Sequence, residues 1–242
     1  MLDDSRQNFE NQLDQSLKYG FIHNIKHRNN LYAPKVLTNN PQTGEYILTE
    51  LQNELKKAKA FSIHVAFVTT AGIGMLKTQL ADFASRGGSG KFLVSPYLGF
   101  NDPAALQELL KLRNIEVRMT QEEVKSHAKI YIFEHLKEQT VIVGSSNLTH
   151  SALKLNYEWN VKLTSTDNGE LIQRTQKDFD DLWATSIPLT LDSIQAYATN
   201  RPKRIQTEFI TETFDKPQPD YPIIKPNTMQ REAVEAIKNL RL

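Results

Sequence analysis

The chain has 242 residues, 39% hydrophobic and 24% charged, with a formal net charge of +1; that is the balance of a globular protein, long enough for one substantial domain with attachments. It contains no cysteine, which excludes disulfides and thiolate metal sites and fits a reducing, cytoplasmic setting. No run approaches the roughly 18 apolar residues of a membrane span, the start M-L-D-D-S-R-Q-N is unlike a secretory signal, and a dedicated nucleic-acid coat protein would be far more basic.

In chain order, Phe9, Leu13, Leu17 and Phe21 recur at helical spacing and predict an amphipathic helix within the first 30 residues or so. His23 and His27 lie four apart, a spacing able to seat a metal, but no third ligand is near and a surface reading is preferred. Leu48 to Ala60 reads as a second helix, with Thr49 as a possible cap. F-S-I-H-V-A-F-V, residues 61–68, reads as a buried strand with His64 as a core histidine. Thr69 or Thr70 then caps a helix to about Ser85. R-G-G-S-G is a turn, K-F-L-V-S a strand, 102–113 a helix with Asp102 as cap, and I-E-V-R-M a strand. This alternation predicts an α/β layered fold. Gly72 and Gly74 do not make a dinucleotide loop, because Lys77 occupies the third glycine position.

His127–Phe133 and Thr140–Val143 read as two strands joined by the polar stretch E-H-L-K-E-Q. In the first, His127, Lys129, Tyr131 and Phe133 share one face. His127 and Lys129 are then about 6–7 Å apart along the strand, so one can attack a phosphorus while the other neutralises a phosphate oxygen. G-S-S-N follows at Gly144; Asn147 is suited to hold the same oxygen and Ser145 to donate another hydrogen bond. Residues 148–154 read as a turn or two of helix, Glu158–Leu163 as a strand and Asp167–Thr185 as a helix. Six of the ten prolines fall from Pro188 onward, which reads as a linker or extended arm before a C-terminal helical stretch.

H-x-K, an apolar strand, G-S-x-N and a later glutamate together resemble the phosphodiesterase signature of the phospholipase D superfamily, over roughly residues 48–186. The resemblance implies a mixed sheet flanked by helices and a covalent phosphohistidine. It makes His127 nucleophile or acid, Lys129 and Asn147 phosphate ligands, and Glu158, 11 positions after Asn147, the carboxylate that orients the histidine. The family's aspartate is Glu134 here, and nine residues rather than six separate it from Gly144; both departures fall at the hairpin tip. His135 and Lys137 form a second H-x-K without partners and read as surface. An ordinary α/β domain, or an inactive member of the family, are the bland alternatives.

Single-signature chains resemble small bacterial nucleases, and the chemistry needs two histidines. The expectation is therefore a metal-independent, homodimeric phosphodiesterase acting on DNA or another nucleic acid, without a membrane partner. P-N-T-M-Q-R-E-A, from Pro226, resembles the entry to a superfamily-two helicase of the DEAD/DEAH type, with Gln230 as adenine reader. ATP would be a cofactor only if a helicase domain follows; the phosphodiesterase domain calls for none. An ordinary amphipathic helix is the alternative for this tail, and a non-catalytic DNA-binding or dimerising module of a helicase is the alternative for the whole. The implied organisation is a helical extension over 1–47, the phosphodiesterase-like domain over 48–186, and a proline-containing linker with the start of a helicase domain over 187–242.

Overall fold

Apolar strands alternating with amphipathic helices build a mixed sheet with helices on both faces. In this computed structural model the described residues are 2–18, 31–166 and 169–200. They belong to a unit spanning Met1–Pro202, and a second unit, Lys203–Leu242, lies outside them. So do Phe21, the His23/His27 pair, Gln230 and the arm expected beyond residue 200.

The strands are β1 (Lys35–Leu37), β2 (Ala60–Val65), β3 (Ser89–Val94), β4 (Ile115–Met119), β5 (Lys129–Glu134), β6 (Glu138–Gly144), β7 (Asn160–Thr166) and β8 (Ile187–Pro188). They form one sheet in the order β1-β7-β6-β5-β2-β3-β4-β8. The pairs β2–β3 and β3–β4 are parallel, joined by the crossover helices α3 (Thr70–Ser85) and α4 (Pro103–Leu110), and the other pairs are antiparallel. α1 is Leu2–Leu17, α2 Ile47–Lys57, α5 Glu170–Thr185 and α6 Leu191–Asn200.

Period two in the strands sorts the core onto two faces. Phe61, Ile63, Val65, Tyr131, Phe133 and Ile142 pack with α2, α3 and α4, while Leu93, Ile132 and Val141 pack with Ile172, Phe179 and Trp183 of α5. β2 is covered on both sides, so Ser62 and His64, which alternate with its apolar residues, are buried as well.

Several local expectations are corrected. Tyr46, without a side-chain cap, precedes α2, and Thr49 lies inside it. Half of the polar stretch after Phe133 is strand: pairing runs to Glu134↔Gln139, and His135 N donates to Glu138 O at 2.9 Å. His135 is not a surface residue. Its side chain is buried, with Nε2 2.8 Å from Glu54 of α2. Glu54 also accepts from Lys162 of β7 at 2.7 Å, and Lys162 reaches Glu50 at 2.5 Å. Residues 187–200 are not linker: β8 pairs with β4, and Leu189 and Ile194 lie in the core. Residues 35–37, expected in a helical extension, form the edge strand β1 on β7.

Candidate active site

The site is assembled where β2 ends, β5 begins and β6 turns into G-S-S-N. Beyond Val65 the chain leaves the β2 ladder and meets residues 147–148. Phe67 N donates to Asn147 Oδ1 at 3.0 Å. Leu148 N donates to Phe67 O at 3.1 Å, and Thr69 N to Leu148 O at 3.1 Å. With Oδ1 occupied, the amide of Asn147 is fixed so that its NH₂ end remains to donate.

Lys129, the first residue of β5, pairs with Val65 of β2 and is buried. Its Nζ lies 2.8 Å from His127 Nδ1, 2.6 Å from His127 O and 5.8 Å from the centre of the Phe67 ring. The His127 ring stands edge-on to Phe67, centroids 5.3 Å apart. Phe67 thus brings His127, Lys129 and Asn147 to one place, a role that its sequence, an aromatic at the end of an apolar run, does not announce.

The G-S-S-N turn is clamped from beneath. Tyr131 OH donates to Ser146 O at 2.8 Å, and Asn160 Nδ2 donates to Ser146 Oγ at 2.8 Å. Gly144 is required because a Cβ there would come within 2.2 Å of Trp159 O. At the end of β2, Asn101 accepts from Val68 N at 2.8 Å and donates to Ser95 O at 2.6 Å and Ala66 O at 3.2 Å. Tyr131, Asn101 and Asn160 are supports that only the three-dimensional arrangement reveals.

Ser145 and Glu158 form a pair. Ser145 Oγ donates to the Glu158 carboxylate and accepts from Trp159 N at 3.1 Å. The hydroxyl proton expected to point at a phosphate is therefore committed to Glu158, and Nδ1 of His127, expected to face a carboxylate, has Lys129 beside it. Glu134 lies at the far end of β5 and is exposed, away from this cluster. No group of three or more metal-ligating side chains occurs among the described residues.

The electrostatics suit an anion. Burial, and then the Lys129 charge, hold the His127 ring below the ordinary histidine value. Burial also lowers Lys129, while Glu158 pulls it back up. Tyr131 is pushed far up by complete burial and then by Glu158, so it stays a neutral donor.

A mixed sheet with helices on both faces, presenting H-x-K and G-S-x-N together at one end of adjacent strands, defines a phospholipase-D-like domain. The chain belongs to the family described as "Cardiolipin synthase, PLD-like domain", whose model matches residues 51–183. Among solved structures, Nuc from Salmonella typhimurium, titled a phospholipase D family member, is 20% identical with a TM-score of 0.51, over 64% of this chain and 98% of that one. Phosphatidylserine synthase from Haemophilus influenzae is 12% identical with a TM-score of 0.52, over 72% of this chain and 47% of that one. NucT from Helicobacter pylori is 19% identical, covering 64% of this chain and 98% of that one, with a TM-score of 0.49. These likenesses concern the fold. No curated protein matches the sequence.

Proposed function

We propose that this chain is a homodimeric, metal-independent phosphodiesterase that cuts DNA through a phosphohistidine on His127. The observation that carries the proposal is the convergence of His127, Lys129 and the Asn147 amide around Phe67. A phosphodiester anion would take its non-bridging oxygens to Lys129 and Asn147.

The proposed chemistry implies an order of events. Lys129 donating to Nδ1 leaves the proton of a neutral His127 on Nε2, the wrong nitrogen for attack by Nε2. Lys129 must first leave Nδ1 for a phosphate oxygen. Nδ1 then carries the proton, Glu158 stabilises it, and Nε2 attacks phosphorus as the bond to the leaving oxygen breaks. A second histidine gives that oxygen a proton, then takes one from water; the water oxygen attacks phosphorus and the P–N bond breaks.

The second histidine is assigned to His127 of a twin subunit. Exposed apolar side chains beside the signature support this. Val36, Val161 and Val143 stand in one cross-strand row, with Trp159 next along the chain 57% exposed; a second copy would cover them. DNA rather than lipid is read from the single signature and the helicase-like stretch at 226–237, and attachment to a helicase rests on that stretch alone.

Nicking of plasmid DNA with and without EDTA tests the proposal, alongside hydrolysis of bis(para-nitrophenyl) phosphate and of phosphatidyl lipid. DNA cleavage that survives EDTA and disappears in His127→Ala is expected. DNA retardation without any cleavage would favour a non-catalytic binding module, and turnover of lipid alone would reject DNA as substrate.

A further inference from the structure

Outside the signature, one buried polar side chain is tied to the residue that precedes the nucleophile. His64, the next-to-last residue of β2, is 2% exposed. Its strand neighbours are Leu93 and Ile130, two residues of the α5 face, opposite to the face of Lys129. Its Nε2 lies 3.0 Å from Ser126 Oγ. The same Ser126 oxygen accepts from Ala128 N at 3.3 Å, a bond that closes a small ring around His127.

The backbone here needs such a tie. Strand pairing begins only at Val65↔Lys129. The residues before it form successive tight turns, with Val124 N on Gln121 O, Lys125 N on Glu123 O and Ser126 N on Val124 O. His127 therefore lies between turns and ladder, and Ser126 Oγ links its two chain neighbours to β2. Because Ser126 Oγ accepts from Ala128 N, its own proton is free to go to His64 Nε2, which needs that nitrogen unprotonated. Burial, and then the Lys129 charge, lower His64 to about 4, so it is neutral near neutral pH, with its tautomer deciding which partner donates in the Ser126 contact.

We infer that His64 is a positioning residue for His127, acting through Ser126. This rests on the proposed phosphohistidine chemistry, in which a shift of about 1 Å in the attacking group costs on the order of 100-fold in rate. Losing the tie would change the rate of attack more than the binding of substrate, because Lys129 and Asn147 are held by other contacts.

The experiment compares Ser126→Ala, Ser126→Thr, His64→Leu and the double variant His64→Leu/Ser126→Ala. Steady-state hydrolysis of bis(para-nitrophenyl) phosphate is read together with NMR titration of the His127 ring. Ser126→Ala should lower kcat at least about tenfold with KM within about twofold, and Ser126→Thr, which restores a hydroxyl, should recover most of it. The double variant should be no slower than the slower single variant, since both remove one linkage. The His127 titration should move in Ser126→Ala and return in Ser126→Thr. If the wild-type chain hydrolyses no phosphodiester, the proposed function fails, while the titration still decides the positioning. An unchanged kcat and an unchanged His127 titration in Ser126→Ala would overturn the inference, as would additive losses in the double variant.

Discussion

Lys129 Nζ stands 2.8 Å from Nδ1 of His127, so the proposed phosphate ligand and the proposed nucleophile are neighbours before any substrate arrives. The contact works against protonation of the ring. It therefore links the ionisation of His127 to the presence of the lysine.

The pH–rate profile should show it. The proposed attack needs a neutral His127, and burial followed by Lys129 lowers its value from 6.5. The acid limb of kcat/KM should rise with pH, with its midpoint below 6.5. In Lys129→Met the limb should move toward higher pH, and the plateau should fall by about 100- to 1000-fold with the loss of the phosphate ligand. A wild-type limb above 6.5 would contradict the assignment.

Subunit mixing tests the shared site. Activity of wild type mixed with His127→Ala should fall roughly as the square of the wild-type fraction once subunits exchange, because the proposed site needs both histidines. A linear fall would mean that each chain works alone.

Acid should weaken the fold in two stages. Unfolded His64 takes a proton near 6.5 but folded His64 only near 4, so stability is lost as pH falls through this window, up to about 3 kcal/mol. Burial alone would raise Glu54, but hydrogen bonds from His135 and Lys162 outweigh it and bring its carboxyl to about 2. Its contribution is complete above 4.5 and is lost as pH falls through 2. Urea unfolding of wild type and His64→Leu between pH 7 and 4 checks the first stage; the variant's stability should fall less steeply.

Two glycines of α3 should behave oppositely. A Cβ on Gly72 would lie 2.2 Å from the backbone oxygen of Leu148, whereas nothing approaches within 4 Å of one on Gly74. Gly72→Ala should destabilise by at least about 1–3 kcal/mol and disturb the Asn147 loop, and Gly74→Ala should stabilise by about 0.5–1 kcal/mol. Chemical denaturation of the pair is the measurement.

The fold class was legible because its evidence is local. The β-branched and aromatic stretch at 61–68, the Thr69 and Asp102 caps and the alternation from Lys129 to Phe133 each fall within a few residues. The candidate site was legible as residue types and spacings, but not as contacts. Phe67 reads as core, Tyr131 as one apolar position among several, and the Ser145–Glu158 pair joins residues 13 apart. His135 was misread because its partner, Glu54, is 81 residues away. α6 was missed because prolines surround it. Its own start is marked by reciprocal bonds between Thr190 and Ser193, a capping signal that sequence reading can find.

The hairpin of β5 and β6 has a consequence for anyone altering the chain. Its tip carries Leu136, 82% exposed, and would ordinarily be the place for an epitope tag, a fused partner or permuted termini. Here the adjacent His135 reaches back to Glu54, and through it to Lys162 and β7. Trimming the tip to a shorter turn would strip a buried carboxylate of one of its hydrogen-bond partners. What looks like spare length has become part of the scaffold, and insertions belong elsewhere.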